Sequence, residues 1–345
     1  MAQELASSQS PSPITLRVDG AADVPRSGEC AKAFSSSLGF PPEHGEEIAL
    51  VVSELATNLL RHASGGSIAF SAIQDAARTG IRIESEDAGP GIPDIEQAMT
   101  DGYSTAGGLG LGLGTINRLM DELDIHSGPR DGVHVVCQRW IRPRAVGIFP
   151  ALVAFGAATR SRRFYEENGD TFLIKQWDGN ALAGVIDGLG HGPFAQRASQ
   201  TARHYIEQHF DQPLDNLFRG AGRACRSTRG VVMALARFNF KTQKVTVASV
   251  GNIEMRLIGG PERFSPMVRR GIVGLNAPDP VCTEHPWNSA CLLIMHSDGL
   301  STNWDWNQFR ELAASRPDAI AQRLLTTLAK PDDDATVVVA RSPSP

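Results

Sequence analysis

Between Glu86 and Leu113 the chain carries glycine at intervals that leave few folds open. It reads Glu-Asp-Ala-Gly-Pro-Gly-Ile over 86–92, then a polar segment, then Gly-Gly-Leu-Gly-Leu-Gly-Leu over 107–113. Ile116, Leu119, Met120 and Leu123 follow at helical spacing. A carboxylate on a tight glycine turn, followed by a glycine-rich entry into a helix, suits a nucleotide. Glycine lets the backbone come close to phosphates, and the free N–H groups at a helix start favour negative charge. The stretch reads as a phosphate-binding loop.

The residues upstream supply a third element. Residues 14–18 pattern as a strand and 28–38 as a helix, and Pro41-Pro42 opens a long helix. Ile48, Val51, Val52, Leu55 and Leu59 form its apolar stripe. Glu54, Asn58 and Arg61 share a second stripe, since about 100° per residue brings i, i+4 and i+7 to one side. That stripe is either a solvated face or a base, a neutral oxygen donor for a metal and a cation held side by side. Two alternating segments follow, 67–74 and 80–85, the second delivering Asp87. Residues 93–99 read as a short helix, 100–106 as a mobile lid, and a helix then runs to about Glu122. Segments 124–127 and 133–140 complete a unit of helices against one sheet, joined by turn residues at 128–132.

Glu54-Leu-Ala-Thr-Asn58-Leu-Leu-Arg-His62 resembles the N-box of the GHKL ATPase superfamily. Asp87-Ala-Gly89-Pro-Gly91 resembles its G1 box, and Gly108-Leu-Gly110-Leu-Gly112 its G2 box. The resemblance implies a Bergerat-type α/β sandwich, a mixed sheet with helices on one face, over 14–142. It implies ATP and Mg²⁺ as ligands. Asn58 would help hold Mg²⁺, Asp87 would receive the adenine amino group, and Gly89, Gly91, Gly108, Gly110 and Gly112 would line the nucleotide. Glu54 would be the base toward a hydroxyl acceptor. The 53 residues before Glu54 show no phosphoacceptor hairpin, and no transducer-like segment follows. The pattern is therefore most similar to the compact serine/threonine switch kinases of RsbT and anti-sigma-factor type, whose substrates are STAS-domain proteins.

The pattern breaks near 141–150, at Arg142-Pro-Arg, with a new β-like run from about Val146. Beyond it, Gly169-Asp170 opens a strand-like 171–176, and apolar 182–186 runs into Asp187-Gly188-Leu-Gly190-His191-Gly192 before a helix to about 209. Residues 291–297 run into Asp298-Gly299, and Asp332-Asp-Asp-Ala-Thr336 precedes apolar 337–340. Singly, each is a turn, a solvated charge run or a permissive glycine. Jointly, acids at strand ends can converge on one sheet edge, where they repel unless hard cations such as Mg²⁺ or Mn²⁺ lie between them.

This second set, with Gly251-Asn252, resembles the metal-dependent PPM-type protein phosphatases of the SpoIIE and RsbX branch. The resemblance implies an α-β-β-α sandwich over 146–345 and two Mn²⁺ or Mg²⁺ ions. Asp187 would bridge them and act in catalysis. The Gly188 carbonyl, Asp298 and Asp333 would be further ligands, and Asp170 would act through water. Arg160, Arg162 and Arg163 are the candidates for a phosphate-binding cation. Trp304, Trp306 and Phe309 read as packing residues, with a docking rim as the alternative.

A formal net charge of −5 gives no bulk attraction to nucleic acid or to an anionic membrane. Five scattered cysteines suit reduced thiols in the cytoplasm, and no apolar run approaches the ~20 residues of a membrane span. Met1 to Pro13 is Ser- and Pro-rich, unlike a signal peptide. The expectation is a two-domain α/β enzyme acting as kinase and phosphatase on STAS-domain partners or a sigma-factor regulator, with oligomerisation left open. The rival is a nucleotide-dependent binding protein of anti-sigma type carrying a phosphatase domain.

Overall fold

The computed structural model describes residues 11–75, 78–93, 95–98, 112–128, 132–141 and 153–342. The chain divides into two compact units, Met1–Arg142 and Pro143–Pro345.

The first unit runs β1 (Ile14–Val18), α1 (Asp23–Ser37), α2 (Pro42–His62), β2 (Gly66–Asp75), β3 (Arg78–Glu86), α3 (Ile95–Ala98), α4 (Gly112–Leu119), β4 (Glu122–Gly128) and β5 (Gly132–Trp140). Pro42 sits in the first turn of α2, where its missing N–H breaks no helical bond. The expected stripe Ile48, Val51, Val52, Leu55 and Leu59 is buried, and meets Ile68, Phe70, Ile81 and Ile83 from alternate positions of β2 and β3. Each such side chain contributes roughly 1.5–3 kcal/mol by leaving water. The sheet order is β1-β2-β3-β5-β4, and every described pairing in it is antiparallel. This corrects the expected mixed strand directions. The β1-to-β2 connection contains two packed helices, so the chain reverses once more than a single-helix crossover would.

The second unit contains β6 (Ala154–Arg160), β7 (Asp170–Trp177), β8 (Asn180–Gly188), α5 (Pro193–Gln208), α6 (Leu214–Ala224), β9 (Val231–Asn239), β10 (Lys244–Val250), β11 (Glu254–Ile258), β12 (Val268–Arg269), β13 (Thr283–Pro286), β14 (Leu292–His296), α7 (Pro317–Leu328) and β15 (Ala335–Arg341). One sheet has the order β12-β10-β9-β8-β7, with β13 also on β10, and the other the order β11-β14-β15-β6. Side-chain alternation builds the layers. Leu182 and Ile186 of β8 face the core under α5 and α6, whereas Ala181, Ala183 and Val185 face the other sheet. In the second sheet Leu293, Met295 and Val338 point inward between the sheets. Ile294, Val337 and Val339 point outward to Ile320 and Leu324 of α7. Strands covered on both faces are apolar along their length, which is why β8, β14 and β15 read as unbroken hydrophobic runs. The result is an α-β-β-α sandwich. Trp304 and Phe309 are buried with α7, and Trp306 packs against them, so all three are packing residues.

Candidate active sites

In the first unit, β3 ends at Glu86 and hands Asp87 to a turn whose geometry admits only small residues. The Asp87 N–H donates to the Val133 carbonyl at 3.1 Å. Its Oδ1 accepts from the Gly89 N–H at 2.8 Å and the Val133 N–H at 3.1 Å. Among the described residues its Oδ2 accepts no hydrogen bond, so a half-buried carboxylate is clamped by one oxygen and open at the other. A Cβ on Gly132, which has φ +72°, would lie 1.9 Å from the Asp87 carbonyl oxygen, and one on Gly89 would lie 2.8 Å from the Ala63 Cβ. The Asp87 turn therefore abuts the C-terminal end of α2. That helix carries Glu54 and Asn58, both half-buried one turn apart, while Arg61 is exposed. Gly91 adopts φ +80°, and its neighbour Ile92 N–H is held by the Ser127 hydroxyl at 2.7 Å. Gly112 begins α4, with open space around it. Gly108, Gly110 and the expected lid at 100–106 lie outside the described residues.

In the second unit the acids gather at strand ends. Asp170 and Asp187 are direct cross-strand partners on β7 and β8. Asp170 is buried, and its Oδ2 accepts from the Ser297 hydroxyl at 2.5 Å. Burial pushes its carboxyl up to about 7; the Ser297 bond opposes this, and the charges of Asp334, Asp298 and Asp333 reinforce it. Asp187 is also held well above the usual carboxylate range, first by burial and then by Asp170, Asp298, Asp333 and Asp334. Burial and the Asp298 charge raise Asp333. Gly188 donates to the Gly169 carbonyl at 3.1 Å, and a Cβ there would sit 2.0 Å from the Ala195 carbonyl of α5.

The run Asp332–Asp334 divides its duties. Asp332 is exposed and Asp333 reaches the cleft. Asp334 is buried, accepting from the Arg162 N–H at 2.8 Å and the Gly169 N–H at 2.9 Å. Asp298 accepts from the Asn252 side-chain amide at 2.6 Å, and the Lys330 ammonium donates to its carbonyl at 2.6 Å. Asp187, Asp298, Asp333, Asn252, His191 and Arg270 all line one cleft of about 570 Å³. Asp170 is not among the lining residues and stands behind the wall, on Ser297.

The donor chemistry fits hard cations: carboxylates and amide carbonyls, mutually repelling and driven toward their protonated forms without a counter-charge. As they stand, no three His, Cys, Asp or Glu groups among the described residues are gathered closely enough to hold a metal ion.

Of the candidate phosphate-binding cations Arg160, Arg162 and Arg163, none lines the cleft. Arg160 donates to the Lys330 carbonyl, and the guanidiniums of Arg162 and Arg163 lie over the rings of Tyr165 and Phe164. Arg270, on a loop just after the short β12, carried no signal of its own beyond Arg-Arg-Gly. No helix among the described residues is long and apolar enough to cross a membrane.

Comparison with known proteins finds a family match in each unit. Residues 20–140 match the histidine kinase-like ATPase domain family, and residues 178–343 match the stage II sporulation protein E (SpoIIE) family. The serine/threonine-protein kinase RsbT of Bacillus subtilis (strain 168) is 38% identical over 120 residues, covering 35% of this chain and 90% of that one. The phosphoserine phosphatase RsbX of the same organism is 25% identical over 135 residues, covering 39% of this chain and 67% of that one. A solved structure from work on the bacterial stressosome, a modular system adapted to control secondary messenger signalling, is 29% identical with a TM-score of 0.53. It covers 55% of this chain and 99% of that one. The chain thus belongs to the histidine kinase-like ATPase family through its first unit and joins to it a SpoIIE-type domain, a fusion of kinase-like and phosphatase-like parts.

Proposed function

We propose that this chain is a bifunctional protein serine/threonine kinase and phosphatase that sets the phosphorylation state of STAS-domain partners in the cytoplasm. Residues 14–142 form the kinase and 146–345 the phosphatase. The observation that supports the reading is the presence on one chain of two different sets of groups suited to opposite reactions. One is an aspartate turn seated against a Glu-x-x-x-Asn helix, and the other a half-buried ring of acids around a cleft.

In the kinase half, the open Oδ2 of Asp87 receives the adenine amino group while Oδ1 keeps the turn rigid. Bound ATP with Mg²⁺ supplies the transferable phosphoryl group. Asn58 would offer its amide oxygen toward that ion, Glu54 one turn earlier would take the proton of the acceptor hydroxyl, and Gly89, Gly91 and Gly112 would let the backbone come close to the nucleotide. Such transfer needs mostly position and electrostatic support. In the phosphatase half, Asp187, the Gly188 carbonyl, Asp298 and Asp333 would hold two Mn²⁺ or Mg²⁺ ions. Those ions supply charge neutralisation and an activated water for in-line attack. Asp170, behind the wall on Ser297, orients water and its neighbours from the second rank. Similarity to a serine/threonine kinase, to a phosphoserine phosphatase and to a stressosome structure supports STAS-domain partners.

The test is phosphate incorporation from labelled ATP into candidate STAS-domain proteins with Mg²⁺ or Mn²⁺. Asp87→Asn abolishes labelling, and Asp187→Asn lets labelled partner accumulate above the wild-type level. A partner that binds both proteins equally and is never labelled overturns the kinase half and favours a nucleotide-dependent binding protein.

A further inference from the structure

At the mouth of the second unit's cleft, apolar rings stand in water beside arginines. Phe194 is 62% exposed with the Arg229 guanidinium 5.0 Å from its ring centroid. Tyr165 meets His191 edge-on at 5.3 Å and carries the Arg162 guanidinium at 4.9 Å. Phe164 is 91% exposed beneath Arg163 at 5.0 Å. These groups are continuous with the cleft. His191 is part of its wall, Arg229 Nη1 stands 3.0 Å from where a Cβ on Gly190 would be, and a Cβ on Gly192 would be 3.9 Å from the Tyr165 ring.

Phe164 adopts φ +70°, a conformation that bulky residues seldom take. The turn is fixed by the Tyr165 N–H on the Arg162 carbonyl at 3.2 Å and the Ser161 hydroxyl on the Tyr165 carbonyl at 2.8 Å. A strained backbone that turns an aromatic ring outward gains nothing from burial, and strain of this kind gathers at ligand-contacting segments.

Inside, Arg270 is the only lysine or arginine among the lining residues, which also include Asp187, Asp298 and Asp333. A phosphoryl dianion entering a wall of carboxylates needs a cation, and a guanidinium offers paired donors in a plane that matches phosphate. The rim beyond it carries Arg162, Arg163 and Arg229, with Glu166 and Glu167 next along the chain after Tyr165. A small phosphomonoester would use Arg270 alone; the rim extends past it and pairs positive charge with exposed rings.

Resting on the phosphatase reading of this cleft, we infer that its mouth recognises a phosphorylated protein segment with acidic and apolar residues beside the phosphoresidue. Arg270 takes the phosphoryl oxygens, and Phe194–Arg229 and Tyr165–Phe164 grip the flanks.

The test uses the full chain with Mn²⁺, p-nitrophenyl phosphate and two phosphoserine peptides of equal length, one flanked by Glu and Leu and the other by Lys and Gly. The Glu/Leu peptide is turned over with a kcat/KM about tenfold above the Lys/Gly peptide. The Phe194→Ala/Arg229→Gln double variant lowers the ratio of kcat/KM for the Glu/Leu peptide over p-nitrophenyl phosphate about fivefold. Arg270→Gln raises KM for all three substrates about tenfold, as loss of a charge-assisted bond requires. Equal turnover of both peptides, or an unchanged ratio in the double variant, overturns the inference. If wild type hydrolyses none of the three, the phosphatase reading falls, and anisotropy of the fluorescently labelled peptides then decides the rim. Preference for the Glu/Leu peptide that is lost in the double variant sustains it, and equal binding or no binding rejects it.

Discussion

Replacing Asp87 by asparagine separates the two duties of that side chain. Oδ1 accepts two backbone N–H groups, at 2.8 and 3.1 Å, and an asparagine carbonyl oxygen accepts both equally well. The turn should therefore survive, with loss of charge assistance costing about 1 kcal/mol on a half-buried group. The other position changes more. Where Oδ2 accepted, the amide now donates, and the adenine amino group meets a donor in place of an acceptor. Losing one charge-assisted bond costs about 1.5–3 kcal/mol, and on the order of 10- to 100-fold in affinity. Calorimetric titration with a non-hydrolysable ATP analogue and Mg²⁺ reads the affinity directly, and thermal melting without nucleotide reads the fold. The expected result is a melting temperature within a few degrees of wild type and an affinity at least tenfold weaker. Asp87→Ala, which removes both acceptor oxygens, should lower the melting temperature more than Asp87→Asn does. An asparagine variant that binds the analogue within threefold of wild type would refute the assignment of Oδ2 to the base.

Further outcomes follow from the same geometry. Gly188→Ala drives a methyl to within 2.0 Å of the Ala195 carbonyl and should destabilise the second unit by about 1–3 kcal/mol or more, seen as an earlier melting transition. The Asp170 carboxyl is raised, so the folded state binds its proton more tightly than the unfolded chain. Its contribution is complete below about pH 4 and is lost as pH rises through about 7, with a steepest slope on the order of 1.4 kcal/mol per pH unit. Mn²⁺ should therefore raise the melting temperature more at pH 8 than at pH 5, and Asp187→Asn should raise the metal-free melting temperature while abolishing that Mn²⁺ effect. The Cys137 and Cys225 thiols are pushed up to about 12 by burial and should resist an aromatic disulfide reagent at pH 8 in the native chain, whereas exposed Cys282 reacts.

Local order was legible wherever a period and a punctuating residue coincided. Strand β1 occupies the expected residues, and Pro42 opens α2 as read, because proline fits a first helical turn and stops little else there. Helix α1 starts at Asp23, five residues ahead of the expected Gly28. Asp23 accepts the N–H groups of Asp19 and Gly20, both at 3.0 Å, and so anchors a helix start at a place where Asp-Val-Pro-Arg looks like loop. The helix expected to reach Glu122 ends at Leu119, since Glu122 already pairs with Gln138 in the sheet. The strand expected from Val146 falls on residues outside the described set, and the described strand begins at Ala154.

At the sites, strand-end aspartates could be found one by one, because each follows an apolar run. Their division of labour could not, since it depends on partners far along the chain. Ser297 reaches Asp170 across 127 residues, and Asp334 supports Gly169 across 165. Asn252 stood in a recognisable Gly-Asn pair, yet its bond to Asp298 spans 46 residues and has no local signature. Arg270 enters the cleft from a loop with no periodicity at all.

Steady-state release of inorganic phosphate from ATP, with a STAS-domain partner in excess over enzyme, tests most directly whether one polypeptide both adds and removes the group. Wild type should release phosphate continuously and only when the partner is present. Asp187→Asn should instead convert the partner stoichiometrically to its phosphorylated form and then stop. Release that ignores the partner, or an Asp187→Asn protein that never accumulates phosphorylated partner, contradicts the account.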